Sequence, residues 1–179
     1  LRRTHEFISR SKGGAVFDNC YCPAWDDLLE IAPATGLSDI HDTKFVEGVL
    51  SLRFVDGFGE KRATSIEQIL LANGAMVAAA KAAEEHGIAF APVSGFHHAN
   101  YDFSWGYCTF NGLVLAALQA KAKTVLIIDG DGHRGDGTDS CLEELRPKLR
   151  GEKVIVNLTH DGGGLGVTGP GSNTAISKA

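Results

Sequence analysis

The chain has 179 residues, 44% of them hydrophobic, which is enough for one domain with a sizeable core. Seventeen basic against 22 acidic side chains give a formal charge of -5, which argues against general nucleic-acid binding and favours a cationic or lysine-bearing substrate. No apolar run reaches membrane length, no signal-peptide core lies near the start, and Cys20, Cys22, Cys108 and Cys141 match neither zinc-finger nor CxxC spacing, so a soluble cytoplasmic protein with reduced thiols is expected.

No internal repeat is visible, and a single α/β domain over residues 1–179 is expected, with a glycine-rich tail from 161 to 179 that carries no period. The first 35 residues are broken by Gly13-Gly14, Pro23 and Pro33. From Asp42 to Leu52 a short helix is expected, with Phe45, Val46 and Val49 on one side. A longer helix is predicted from about Ser65 to Glu85, started by a Thr64/Glu67 capping box and stopped by Gly87. "IAFAPV" (88–93) reads as a buried strand, "NGLVLAALQAKAK" (111–123) as a helix, and "TVLIID" (124–129) as a strand of a parallel sheet covered on both faces. "DSCLEELRPKLRG" (139–151) reads as a helix with a break near Pro147, and "KVIVNL" (153–158) as a third strand. Alternation of strand and helix implies a parallel sheet flanked by helices, whose ligands bind at the carboxyl ends of the strands. The polar clusters "SGFHHAN", "DGDGHRGDGT" and "THDGGG" each follow a predicted strand, so they are expected on one rim.

Two of these clusters carry chemistry. Asp129, Asp131, His133 and Asp136 fall within eight positions, and in an extended segment alternate side chains share a face, so Asp129, Asp131 and His133 can converge on a divalent metal with an open coordination position. The competing reading is a solvated turn with local Asx bonding. His97 and His98 stand side by side; hydrolysis of an amide needs a base for water and an acid for the leaving amine, and two imidazoles in different settings can divide those roles. A calcium loop fails because the twelfth position from Asp129 is Ser140. The run of apolar residues before "DGDG" is also similar to the first motif of haloacid-dehalogenase-like phosphatases, which leaves His97, His98 and "GYCTFN" unexplained.

"SGFHHA", "GYCTFN" and "LIIDGDGHRGDGT", in this order, resemble the histone deacetylase family, including bacterial deacetylase-like proteins and acetylpolyamine amidohydrolases of the arginase/deacetylase fold. The resemblance runs from "HDTKFV", at His41, to about His160. It implies zinc-dependent hydrolysis of an acyl amide, in acetyl-lysine of a protein or in an acetylated polyamine. Asp131 and His133 would then be zinc ligands, His98 the principal general base, and His97 its charge-stabilising neighbour. Asp129 would orient His97 and Asp136 would orient His98. Gly106 would offer its carbonyl to the scissile amide, and Tyr107, at the position of a family phenylalanine, would wall a tunnel for the methylene stem. Backbone carbonyls of residues 129–133 would hold a structural potassium ion.

Arg134 departs from the family's second histidine, and Ser94 and Phe96 replace a glycine and a tryptophan. The family's third zinc ligand and its oxyanion tyrosine have no match here: Asp161 comes one strand too early, and Tyr21, Tyr101 and Tyr107 all precede the metal motif. The chain is therefore expected to be the first part of a longer deacetylase, missing the C-terminal part of the fold. The alternative is a shortened, catalytically impaired relative that binds acyl-lysine or a partner, and pairing through an exposed sheet edge would make an oligomer.

Overall fold

A computed structural model describes residues 34–160 and 165–168. Its elements are helix α1 (Ala34–Leu37), α2 (Thr43–Leu50), α3 (Ala63–His86), α4 (Gly112–Gln119), strand β1 (Thr124–Ile128), α5 (Asp136–Leu149), β2 (Val154–His160) and β3 (Leu165–Thr168). Strand order is β1-β2-β3. β1 and β2 are parallel, with Thr124 opposite Val154 and Ile128 opposite Leu158, as the alternating sequence predicts. β3 adds an antiparallel strand that the glycine-rich tail concealed, with Leu158 opposite Val167.

Helix ends follow local chemistry. Asp42 caps α2 by accepting the Phe45 N–H at 3.0 Å. Asn111 caps α4 by accepting the Val114 N–H at 3.2 Å. At the other end of α4 the Lys153 ammonium donates to the carbonyls of Ala117 and Ala120. Gly87, with φ of 86°, ends α3 where its lack of Cβ permits the turn. The expected Thr64/Glu67 box is not the start of α3: the cap position is Arg62, without a side-chain bond, because the helix has already begun at Ala63. Residue 147 does not break α5 either; Pro147 sits in the last turn, where only one backbone bond is lost, and left-handed Arg150 closes the helix.

The core gathers Phe45, Val46 and Val49 of α2, Ile66, Ile69 and Val77 of α3, Val114 and Leu115 of α4, and Leu142 and Leu145 of α5 over Ile127 and Ile155 of the sheet. On that inner face β2 changes from apolar to polar along its length, with Ile155, Asn157 and Thr159 all buried. The opposite face differs from the expectation of a sheet covered on both sides, since Leu126, Ile128 and Val154 are exposed.

The clearest departure is residues 88–93. They form no strand, and Ile88 and Phe90 are 86% and 84% exposed. Pro92 supplies the reason: it lacks an N–H for a ladder, and around it the Val93 N–H donates back to the Ala91 carbonyl at 2.9 Å in a tight γ-type turn.

Candidate active site

Three chain segments meet at the histidine pair: loop 96–101, the 105–108 turn, and the stretch from the end of β1 into α5. Glycines make the approach possible. A Cβ on Gly137, in the first turn of α5, would run into the backbone of His98 and Ala99, and the next residue, Thr138, donates its N–H to the His97 carbonyl at 3.1 Å. A Cβ on Gly135 would stand 2.7 Å from Asp129 Oδ2.

His97 Nδ1 lies 2.7 Å from Asp129 Oδ2, and His98 Nδ1 lies 2.7 Å from Asp136 Oδ1. An ionised carboxylate only accepts, so each Nδ1 is the donor and each Nε2 is left as the basic nitrogen. The two imidazoles stack with ring centroids 4.0 Å apart. Asp129 is held in turn: its own N–H donates to Leu158 O at 2.8 Å, and the Thr159 hydroxyl, accepting from Gly135 N–H at 2.7 Å, donates to Asp129 Oδ2 at 3.3 Å. A phosphatase nucleophile must present one free carboxylate oxygen to phosphorus; here Asp129 Oδ2 is bonded to His97 and Thr159 and Oδ1 accepts the Asp131 N–H at 3.1 Å.

Trp105 covers the outer side of His98 at 4.5 Å between ring centroids. The turn that carries it, Trp105 to Cys108, closes with a 2.9 Å bond from Cys108 N–H to the Trp105 carbonyl. Both central residues are left-handed, Gly106 at φ 57° and Tyr107 at φ 64°, the signature of a primed hairpin turn. Gly106 has a second reason to be glycine: a Cβ would meet His98 Cδ2 at 2.6 Å. Left-handed backbone at a tyrosine is a strained state costing roughly 1–3 kcal/mol. It presents the exposed Tyr107 ring at the rim, 5.9 Å from that of Phe58. The Phe58 loop is moored to the same turn, as Tyr107 N–H donates to Gly57 O at 3.0 Å and Gly57 N–H donates to Thr109 Oγ1 at 2.9 Å.

Asp131 and His133 face solvent next to this centre. Asp131 Oδ1 accepts from the His133 backbone N–H at 2.8 Å and lies 2.9 Å from His133 Nδ1, so the two side chains are paired with each other. The His133 N–H, followed by its ring, holds the Asp131 carboxyl below the usual range. The His133 ring is 6.0 Å from that of His98. As with His97 and His98, His133 Nδ1 is here the donor to Asp131, so a divalent metal held by this carboxylate and this imidazole would replace that hydrogen bond. Among the described residues no group of three or more His, Cys, Asp or Glu side chains completes such a metal site. Asp161 and Tyr21 lie outside the described residues. Arg134 is engaged elsewhere, its Nε and Nη2 donating to Asp139 Oδ2 at 3.2 and 3.0 Å, while Asn157 Nδ2 donates to Asp139 Oδ1 at 2.9 Å.

Sequence reasoning named every residue of these two imidazole–carboxylate pairs, the Asp131–His133 pair, and the Gly106–Tyr107 turn. It missed Phe58, Trp105 and Thr159. Aromatic residues flanking Gly106 were the available signal for Trp105; nothing local marks Phe58, which arrives from another loop. Both described cysteines, Cys108 and Cys141, are free and buried, and burial pushes their thiols up. No described helix is long and apolar enough to cross a membrane.

The chain is similar to Histone deacetylase 10, chloroplastic, of Oryza sativa subsp. japonica, with 34% identity over 78% of this chain and 35% of that protein. Similarity to Histone deacetylase 14, chloroplastic, of Arabidopsis thaliana is 29% identity over 65% of this chain and 33% of that protein. The chain thus spans about a third of the length of these curated relatives. The crystal structure of the HDA15 HD domain superposes with a TM-score of 0.54 over 82% of this chain and 51% of that one; at 22% identity it establishes the shared deacetylase fold. The histone deacetylase domain profile matches residues 28–161, three quarters of the sequence, and the chain therefore belongs to the histone deacetylase family.

Proposed function

We propose that this chain carries the acid–base part of a zinc-dependent acyl-amide hydrolase. The observation behind the reading is the convergence of two imidazole–carboxylate pairs, His97–Asp129 and His98–Asp136, beside the Asp131–His133 pair. Zinc held by Asp131 and His133 would supply Lewis-acid polarisation of the acyl carbonyl. His98 Nε2 takes a proton from the attacking water, and Asp136 keeps the imidazole oriented with Nδ1 protonated. His97, held by Asp129, stabilises charge beside it. When the C–N bond breaks, the histidine pair returns a proton to the departing amine, giving carboxylate and free amine. The Gly106 carbonyl is the acceptor for the scissile amide N–H, and Tyr107 walls the methylene stem, with Phe58 beside it. A structural potassium on the backbone carbonyls of residues 129–133 belongs to the same proposal.

The substrates that suit this arrangement are an acyl-lysine peptide or an acetylated polyamine, in keeping with the acidic net charge. Neither nucleic acid nor membrane is part of the proposed reaction. The cytoplasm is the proposed compartment. The test is hydrolysis of an acetyl-lysine peptide by the metal-stripped and zinc-reconstituted chain, alongside calorimetric zinc binding. Zinc-dependent turnover supports the reading. His98→Ala is expected to lower the rate at least about a hundredfold and to leave zinc binding intact. Asp131→Ala is expected to lose zinc. Full activity in the first variant or unchanged zinc content in the second overturns the corresponding role, and zinc binding with acyl-peptide binding but no turnover points to a binding module.

A further inference from the structure

His41 lies outside the chemistry just described, on the segment that leads into α2. It is 1% exposed. Its ring sits between the edges of Phe45 and Phe110, with centroids at 5.7 and 5.6 Å, and this apolar setting would suit a phenylalanine equally well. Three contacts with backbone atoms explain a histidine instead. Its Nδ1 is 2.8 Å from the Asn100 carbonyl and 3.2 Å from the Tyr101 carbonyl, and its Nε2 is 2.9 Å from the Asn111 backbone nitrogen. A backbone N–H only donates, so Nε2 must accept; carbonyls only accept, so Nδ1 must carry the proton. The partners fix one tautomer. Burial, the largest influence, lowers its pKa to about 4, in line with a neutral ring.

The partners are the segments that hold the histidine pair. Asn100 and Tyr101 lie two and three residues after His98, and the Asn100 side chain donates back to the His98 carbonyl at 3.1 Å. Asn111 caps α4 and also donates from Nδ2 to the Ala99 carbonyl and the Thr138 hydroxyl, both at 3.2 Å. A single imidazole thus ties the loop behind His98 to the start of α4, which follows the 105–108 turn, whose Gly106 packs on the His98 ring.

We propose that His41 is a positioning residue for the His97–His98 pair, acting through the Asn100 carbonyl and the Asn111 amide, with its proton on Nδ1. The proposal rests on the catalytic reading of that pair for its purpose, but its test does not need turnover. The full chain, labelled with ¹⁵N-histidine, is observed by long-range ¹H–¹⁵N NMR near neutral pH without substrate. The expected His41 signals are a protonated Nδ1 and a bare Nε2; the opposite tautomer or a doubly protonated ring overturns the proposal even if no variant folds.

His41→Phe keeps the ring packing and removes the polar links, whereas His41→Gln keeps a donor and an acceptor on one carbon, like the imidazole N–C–N edge. The Phe variant is expected to keep its helix content in circular dichroism but shift or broaden the His97 and His98 signals, with the Gln variant restoring them toward wild type. Wild-type His97 and His98 signals in a folded Phe variant would reduce His41 to packing and sink the proposal. If zinc-loaded protein hydrolyses an acetyl-lysine peptide, the Phe variant should lower kcat at least tenfold with KM nearly unchanged, and an equal kcat would count against it. Absent turnover in the wild type bears on the proposed reaction alone.

Discussion

Two positions show how one side chain constrains the site. Gly106 combines left-handed backbone with an ideal Cβ position 2.6 Å from the His98 ring, so Gly106→Ala must either strain the turn or displace His98. The expected cost is about 1–3 kcal/mol of stability, read from urea midpoints, together with loss of the His98–Asp136 proton signal in NMR. Unchanged midpoints and an intact signal would contradict this geometry. His41 predicts a pH dependence. Its folded-state pKa, about 4, lies below the ordinary value of 6.5, so between these values the unfolded chain binds more protons and stability must rise with pH. As pH falls from about 6.5 to about 4 the group should cost on the order of 3 kcal/mol, after which its effect saturates. The neighbouring Cys141 thiol, pushed up by burial, stays protonated throughout and does not oppose the trend. Stability measured against pH should therefore be flatter over this window in His41→Gln than in wild type, and parallel curves would show that the imidazole does not titrate as described.

At the scale of elements, α4 and α5 are held by features that work for both helix and site. Asn111 is fully buried; its Oδ1 caps α4 while its Nδ2 serves Ala99 and Thr138. Asn111→Ala should cost about 2–4 kcal/mol, combining loss of a cap with buried partners left unsatisfied, and thermal or urea unfolding checks the value. A loss below about 1 kcal/mol would mean that the cap alone matters. α5 begins at Asp136, earlier than its predicted start near 139, because Gly137 allows its first turn to press on the His98 backbone. The helix start and the His98 partner are therefore one feature: Asp136 occupies the first helical position while its carboxylate reaches His98 Nδ1. Acidic Asp136 and Asp139 at this end, and basic Arg146 and Lys148 at the other, also suit the helix dipole.

At the scale of the whole molecule, the sheet is apolar on two faces but covered on one among the described residues. Leu126, Ile128 and Val154 are exposed on the far face, and Ile88 and Phe90 are exposed on the segment before the histidine loop. Such surface favours association, so the 179-residue chain should show concentration-dependent sedimentation. Replacing Leu126 and Ile128 together by lysine should shift it toward smaller species, and a wild-type monomer at every concentration would refute the expectation.

How far the sequence reached can be judged from particular residues. Periodicity and composition, with the Gly87 stop, located α2, the body of α3, α4, β1 and β2, because each is decided by neighbours close along the chain. Asp131 and His133 do meet, but through the local Asx bonding of a solvated turn rather than along an extended segment: residues 131–133 form a bend in which the Asp131 N–H donates to Asp129 Oδ1 and the His133 N–H to Asp131 Oδ1, while Asp129 Oδ2 turns to His97. The pairing of His97 with Asp129 and of His98 with Asp136 came from family resemblance, as partners 32 and 38 residues apart have no local signal. Residues 88–93 read as a buried strand because their composition is apolar; Pro92 and the lack of a described partner strand decided otherwise. β3 was invisible because its glycine-rich surroundings hide a short strand whose formation depends on the β2 edge. By itself, then, the sequence determined α2, the body of α3, α4, β1 and β2, named the candidate site residues and carried the family likeness. Tertiary structure decided that Phe58 reaches Tyr107, that Trp105 covers His98, and that His41 braces the loop behind it. Those contacts join residues distant along the chain, and only close packing permitted by Gly57, Gly106 and Gly137 brings their segments together.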